Sequence, residues 1–340
     1  MRKRIAAGVG FAALLFLLVQ LGALALVPTF DAAGYQAVED PSDPTNSFVY
    51  VGAILVATAA MLAAFKFDLQ WVVRGFVVLA TASLSWYVFS VLLSPLPAIG
   101  ASIVVAAALV VHPEWYVIDT AGVVMGAGAA GLFGISFGLL PALVLLTALA
   151  IYDAISVYGT EHMLDLAEGV MDLNLPVVLV VPTTLSYSLR DDTADVGSED
   201  DPDGDERHNE DETAHNDADT PAPGGTDSAG PDGDTRDGEV RDALFIGLGD
   251  AVIPTVIVAS AAFFLPASLT PSLGVPGLPA MTVPALTAMI GTFAGLFTLL
   301  WMVLQGRPHA GLPLLNGGAI GGYLIGALAS GVPLLTALGL

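Results

Sequence analysis

The chain reads as an all-α polytopic membrane protein of about nine transmembrane helices, N-terminus cytoplasmic and C-terminus extracellular. Three observations predict this. Of 340 residues, 55% are hydrophobic and 13% charged, with mean hydropathy +0.75; a soluble domain of that composition could not cover its surface. Apolar runs of about 20 residues, enough to cross a bilayer, recur along the chain. Drawn as nine spans, the chain places its basic residues on one side.

The first span, about 5–27, follows the basic opening "MRKR". That opening resembles a signal peptide, but the apolar segment is too long for a typical h-region, so an uncleaved helix is expected. Further spans are read at about 48–65, 71–93, 97–112, 119–135 and 137–158, then at about 243–265, 283–304 and 312–336. "GVVMGAGAAGLFG" in the fifth and "GGAIGGYLIG" in the ninth carry small residues at four-residue spacing, which lets helix backbones approach closely. Nine spans with the N-terminus inside put Arg2, Lys3, Arg4, Lys66, Arg74, Arg190, Arg207, Arg236, Arg241 and Arg307, all ten basic residues, on the cytoplasmic side. Omitting the two short spans, fourth and fifth, together would preserve the pattern.

Twenty of the 33 acidic residues lie between Asp191 and Asp242, so the net charge of −23 is largely local. That stretch has almost no large apolar residues and is expected to be a disordered, solvated linker. It divides the chain into residues 1–189, the loop 190–242, and residues 243–340. Before it, "TEHMLDLAEGVMDLNLPVVLVVPTT" suggests an interfacial amphipathic helix through Met163, Leu164, Leu166, Ala167, Val170 and Met171. "LPVVLVVP" at 175–182 suggests a strand or a short re-entrant piece covering a site.

Cysteine is absent, which excludes disulfides, thiol catalysis and thiolate metal sites. No zinc motif, phosphate loop, calcium loop or nucleic-acid patch is present, so no cofactor, metal or nucleic acid is expected. His162 and its neighbouring carboxylates read as a solvated helix face. Glu114 and Asp119 read as ordinary interfacial charges, and His112 and His309 as wetted span ends.

Asp153 and Asp250 do not fit so plain a reading. Asp153 lies about 9 Å from the end of the sixth span, and Asp250 about 10 Å into the seventh, at 1.5 Å per residue. Antiparallel neighbours would bring the two carboxylates to one level. An intramembrane carboxylate costs a few kcal/mol and usually faces a water-filled cavity. No Lys or Arg falls within either span. Two close carboxyls can share a proton, giving a base for water and an acid for a peptide carbonyl. Gly247 and Gly249 leave room for a substrate backbone beside Asp250, and Tyr152 offers a hydroxyl beside Asp153.

Tyr152-Asp153, followed after a long loop by Gly247-Leu248-Gly249-Asp250, resembles the YD and GxGD pair of presenilins and signal peptide peptidases. In "HAGLPLLNGG", Leu312 and Pro313 match the Leu-Pro of the presenilin-type motif, while Ala310 and Gly311 replace its Pro-Ala. The departure bears on substrate docking. The segment could leave backbone groups free to pair with an unwound substrate strand. The resemblance implies an intramembrane aspartic endopeptidase, with Asp153 and Asp250 catalytic and Tyr152, Gly247, Leu248, Gly249, Gly311, Leu312 and Pro313 supporting. Its expected partners are the lipid bilayer and single-span substrates with their N-terminus outside, in the cell membrane. The orientation is similar to presenilins rather than to the inverted peptidases, as in an archaeal presenilin-type homolog. A proton- or ion-coupled transporter is the main rival, since paired carboxylates also serve proton relays; the chain shows no internal repeat. An inactive helix-binding scaffold is the second.

Overall fold

A computed structural model describes residues 2–67, 69–159, 178–182, 188, 243–305 and 310–340. The amphipathic segment 163–171, the acidic loop, Arg307 and His309 lie outside the described residues. The first six helices are α1 (Arg2–Ala32), α2 (Thr45–Lys66), α3 (Gln70–Leu92), α4 (Pro95–Val111), α5 (Trp115–Ser136) and α6 (Leu139–Gly159). Then come strands β1 (Val178–Pro182) and β2 (Ala243–Gly247), and helices α7 (Leu248–Phe264), α8 (Val283–Val303), α9 (Gly311–Ala329) and α10 (Leu334–Ala337). Among the described residues, seven helices are long and apolar enough to cross a membrane; α4 and α7 are apolar but shorter.

Helices α1, α5 and α7 form the centre, with α6, α8 and α9 packed around α7. Helix α2 buries only Ser47 among its described residues and lies at the periphery against α6 and α3. Lipid is as apolar as leucine, so close approach rather than water exclusion must hold such helices together. The glycines supply it. A Cβ at Gly126 would press on Leu248 and Val252 of α7, and one at Gly131 on Phe30 of α1. Gly291 and Gly295 of α8 meet Gly318 and Leu314 of α9 backbone to backbone. The small-residue stretches of the fifth and ninth spans therefore pack as read.

Three expectations need correction. Residues 243–247 are not the start of a helix. They are β2, paired antiparallel with β1 in the register Val178↔Gly247 to Pro182↔Ala243. The stretch "LPVVLVVP" does contain a strand. The ninth span does not run unbroken to 336: α9 ends at Ala329, Gly331 takes φ +81, and Pro333 precedes α10. A left-handed glycine followed by proline stops a helix. Finally, α5 begins at Trp115, so Asp119 lies within a helix rather than between spans and, at 3% exposed, is a buried group rather than an ordinary solvated charge.

Candidate active site

Residue 153 stands six positions before the end of α6, and residue 250 is third in α7. The expected seven-residue depth for Asp250 fails because Ala243–Gly247 are extended; β2 carries the chain to the site, and the helix starts there. Both carboxylates meet at the first turn of α9. Asp153 Oδ2 accepts the Leu312 N–H at 3.0 Å, with the Gly311 N–H also directed at it. Asp250 Oδ2 lies where a Cβ on Gly311 would stand 3.3 Å from it, and Asp153 is close enough to Asp250 for their charges to interact.

The local physics explains this gathering. The first N–H groups of a helix have no partner within it, and its N-terminus carries partial positive charge. The start of α9 offers both to Asp153, and Asp250 lies in the first turn of its own helix. For Asp153, backbone donors take the place that a basic side chain would fill. Pro313 falls where the absent N–H costs no helix bond.

Other expected site residues divide by position. Gly247 and Gly311 flank Asp250: a Cβ on Gly247 would stand 3.5 Å from Oδ2. Gly249 is exposed, with open space where its Cβ would be. Leu248 is 5% exposed and sits in a cluster with Phe16, Val19 and Leu315, anchoring α7 rather than lining the dyad. Tyr152 is half-buried and makes no hydrogen bond to the dyad or to 310–313 among the described residues. The hydroxyl that reaches this segment is Tyr158, 3.5 Å from the Ala310 N–H. Sequence reading also missed Asn316, fully buried, whose Nδ2 donates to the Leu146 carbonyl at 2.9 Å. That bond ties α9 to α6, so Leu312 faces Asp153. A buried Asn one turn beyond the motif was the available signal.

In the segment 311–313 Asp153 takes the Leu312 N–H and Pro313 has none, so these two positions offer a substrate strand no backbone donor. Among the described residues, an open backbone edge lies on β2. The Val180 N–H points away from β2, to Asp119 Oδ1 at 2.8 Å. In an antiparallel ladder its partner Phe245 then also directs its N–H and C=O outward. Pro182 shares this phase, so its missing N–H costs no ladder bond. No described residue pairs with the outer edge of β2, which ends at Gly247, three residues before Asp250. Among the described residues no group of three or more His, Asp or Glu gathers that could hold a metal.

A family model described as "Signal-peptide peptidase, presenilin aspartyl protease" matches residues 13–332. One similar solved structure is a presenilin family intramembrane aspartate protease in space group C222. It is 28% identical with TM-score 0.60, covering 94% of this chain and 99% of its own. A second, of a presenilin family intramembrane aspartate protease in space group P2, is 29% identical with TM-score 0.57, covering 93% and 96%. None of the curated proteins compared matches.

Proposed function

This chain belongs to the signal-peptide peptidase and presenilin family of aspartyl proteases, a multi-pass membrane protein and intramembrane aspartic endopeptidase, and we propose that Asp153 and Asp250 are its catalytic pair. The observation that carries the assignment is their convergence on Gly311 and Leu312. One carboxylate takes a proton from water as its oxygen attacks the scissile carbonyl carbon. The other donates a proton to the carbonyl oxygen, giving a gem-diol. Collapse breaks the C–N bond, the leaving nitrogen takes a proton, and the pair is restored.

The substrate is a transmembrane helix with its N-terminus outside. It approaches among α2, α6 and α9, where α6 exposes Ile151, Ile155 and Tyr158 beside Asp153. Its unwound strand adds to the outer edge of β2, because a helical backbone hides its carbonyls. Tyr152 supports the site from beside Asp153. Nine spans fit this reading: α4 and α7, at about 26 Å for 17 residues, approach the bilayer's hydrocarbon thickness. The ten basic residues support a cytoplasmic N-terminus and an opposite C-terminus in the cell membrane. Residues 1–189 and 243–340 then form two helical parts joined by the acidic loop 190–242.

The test is cleavage of a labelled, single-span, N-outside substrate in liposomes. Wild type should cut within the span, while Asp153→Ala and Asp250→Ala should not. Cutting that persists in either variant rejects the pair. The flanking glycines should separate binding from chemistry. A methyl at Gly311 would crowd Asp250 and Leu299 at 3.3 Å, so Gly311→Ala should lower kcat about tenfold, given how steeply rate depends on sub-ångström placement. Gly249→Ala should leave kcat within about twofold and raise KM, because it narrows open space without moving the dyad. Equal effects of the two changes on kcat would remove the distinction.

A further inference from the structure

We propose that Asp119 is a positioning residue for this reaction: its carboxylate latches the β1–β2 hairpin to α5 and so holds Asp250 in place. The inference rests on Asp153 and Asp250 being the catalytic pair. Asp119 is 3% exposed; Oδ1 accepts the Val180 N–H, and Oδ2 has no hydrogen-bond partner among the described residues. The residue it bonds lies in an apolar cluster: Val180 packs with Leu109, Ile118, Ala121 and Ala243. A carboxylate is expensive there, whereas an apolar side chain would pack readily. What the carboxylate supplies is an acceptor for a backbone N–H that points away from the ladder and would otherwise be buried unpaired.

The latch reaches the dyad through a short chain of contacts. Val180 is the central residue of β1 and lies opposite Phe245 of β2. Strand β2 passes directly into α7, so Gly247 ends one element and Leu248 begins the next. Gly247 also lies against Asp250 Oδ2. A hairpin that slides along α5 therefore moves the wall of Asp250 and the first turn that bears it. Asp119 touches neither Asp153 nor Asp250 by any described hydrogen bond, so it acts through the strands.

Two variants of the full-length chain in liposomes test this. Asp119→Asn keeps an acceptor oxygen, and Asp119→Leu fills the space without one. The measurements are kcat and KM on the labelled substrate, with amide exchange in peptides covering 178–182 and 243–250. For Asp119→Leu we expect about tenfold lower kcat and about tenfold faster exchange in both peptides, with α8 and α9 unchanged. Asp119→Asn should stay within about threefold of wild type in both measurements. Wild-type kcat and exchange in Asp119→Leu would overturn the latch. So would an Asp119→Asn enzyme as slow as Asp119→Leu with its hairpin still protected, because charge rather than acceptance would then matter. Equal acceleration of exchange through α8 and α9 would reduce Asp119 to general support of the fold. Failure of the dyad shows separately: Asp250→Ala would go on cutting, whatever the exchange at Val180.

Discussion

Asp153→Ala, Asp250→Ala and the double variant should all cut at one residual rate, about 10³-fold or more below wild type. Two carboxyls that share one proton form a single acid–base unit. Removing either leaves a base without an acid, or an acid that cannot be recharged, so the second deletion removes nothing further. A simple sum of two independent losses would instead make the double variant about 10⁶-fold slower. Single-turnover cleavage in liposomes distinguishes these outcomes, and a double variant far below both singles would assign the residues separate tasks. Asp153→Asn guards against a structural explanation. Its amide oxygen can still accept the Leu312 N–H, so α9 keeps its anchor while the acid–base function is lost. If Asp153→Asn cuts well, Asp153 matters as an anchor for α9 rather than as a proton carrier. Wild-type cutting should rise and fall with pH, since the active form lies between double protonation and double ionisation.

Much of this site was legible because the membrane makes a carboxylate conspicuous. Asp153 and Asp250 stand in apolar runs where each charge demands a reason, and flanking glycines narrowed the reasons. The long apolar helices were legible for the same cause: apolar length is a strong signal and needs no partner. What escaped notice depends on partners distant in sequence. "ALFIG" is a five-residue apolar run, which periodicity cannot assign to helix or strand; its pairing with Val178–Pro182 decides it, across more than 60 residues. Asp119 escaped for a related reason. Its partner is the backbone N–H of Val180, 61 positions away, and a backbone group leaves no mark in the residue code. Tyr158 rather than Tyr152 reaches Ala310 because the approach of α9 to α6 selects which tyrosine faces it. The break after Ala329 was different. Ser330-Gly331-Val332-Pro333 carries the glycine and proline that end helices, and hydropathy alone passed over it.

Gly318→Ala should lower the melting temperature strongly and the cleavage rate about 100-fold, while Gly317→Ala and Gly321→Ala should do neither. The three are near neighbours in one helix and have the same helix propensity, so only their surroundings differ. A Cβ on Gly318 would overlap the Gly291 carbonyl, and one on Gly291 would overlap the Gly318 carbonyl. Those on Gly317 and Gly321 meet nothing within 4 Å. Overpacking a core commonly costs about 1–3 kcal/mol, but here the obstacle is backbone and cannot change rotamer. Helices α8 and α9 would have to separate along the whole stripe, where Gly295 faces Leu314 and Gly322 faces Thr287. At the open positions, alanine for glycine favours a helix by roughly 0.5–1 kcal/mol, so slight stabilisation is expected. The effect on rate follows from where α9 begins. Its first turn presents Leu312 to Asp153 and Gly311 to Asp250, and a rigid helix displaced at Gly318 carries that turn with it. Thermal unfolding in detergent, paired with cleavage below the melting temperature, separates the two consequences. If Gly318→Ala melts early yet cuts normally when folded, the α8–α9 interface supports the fold without setting the dyad. If it cuts slowly while still folded, the glycine stripe sets the geometry of the proposed pair, Asp153 and Asp250.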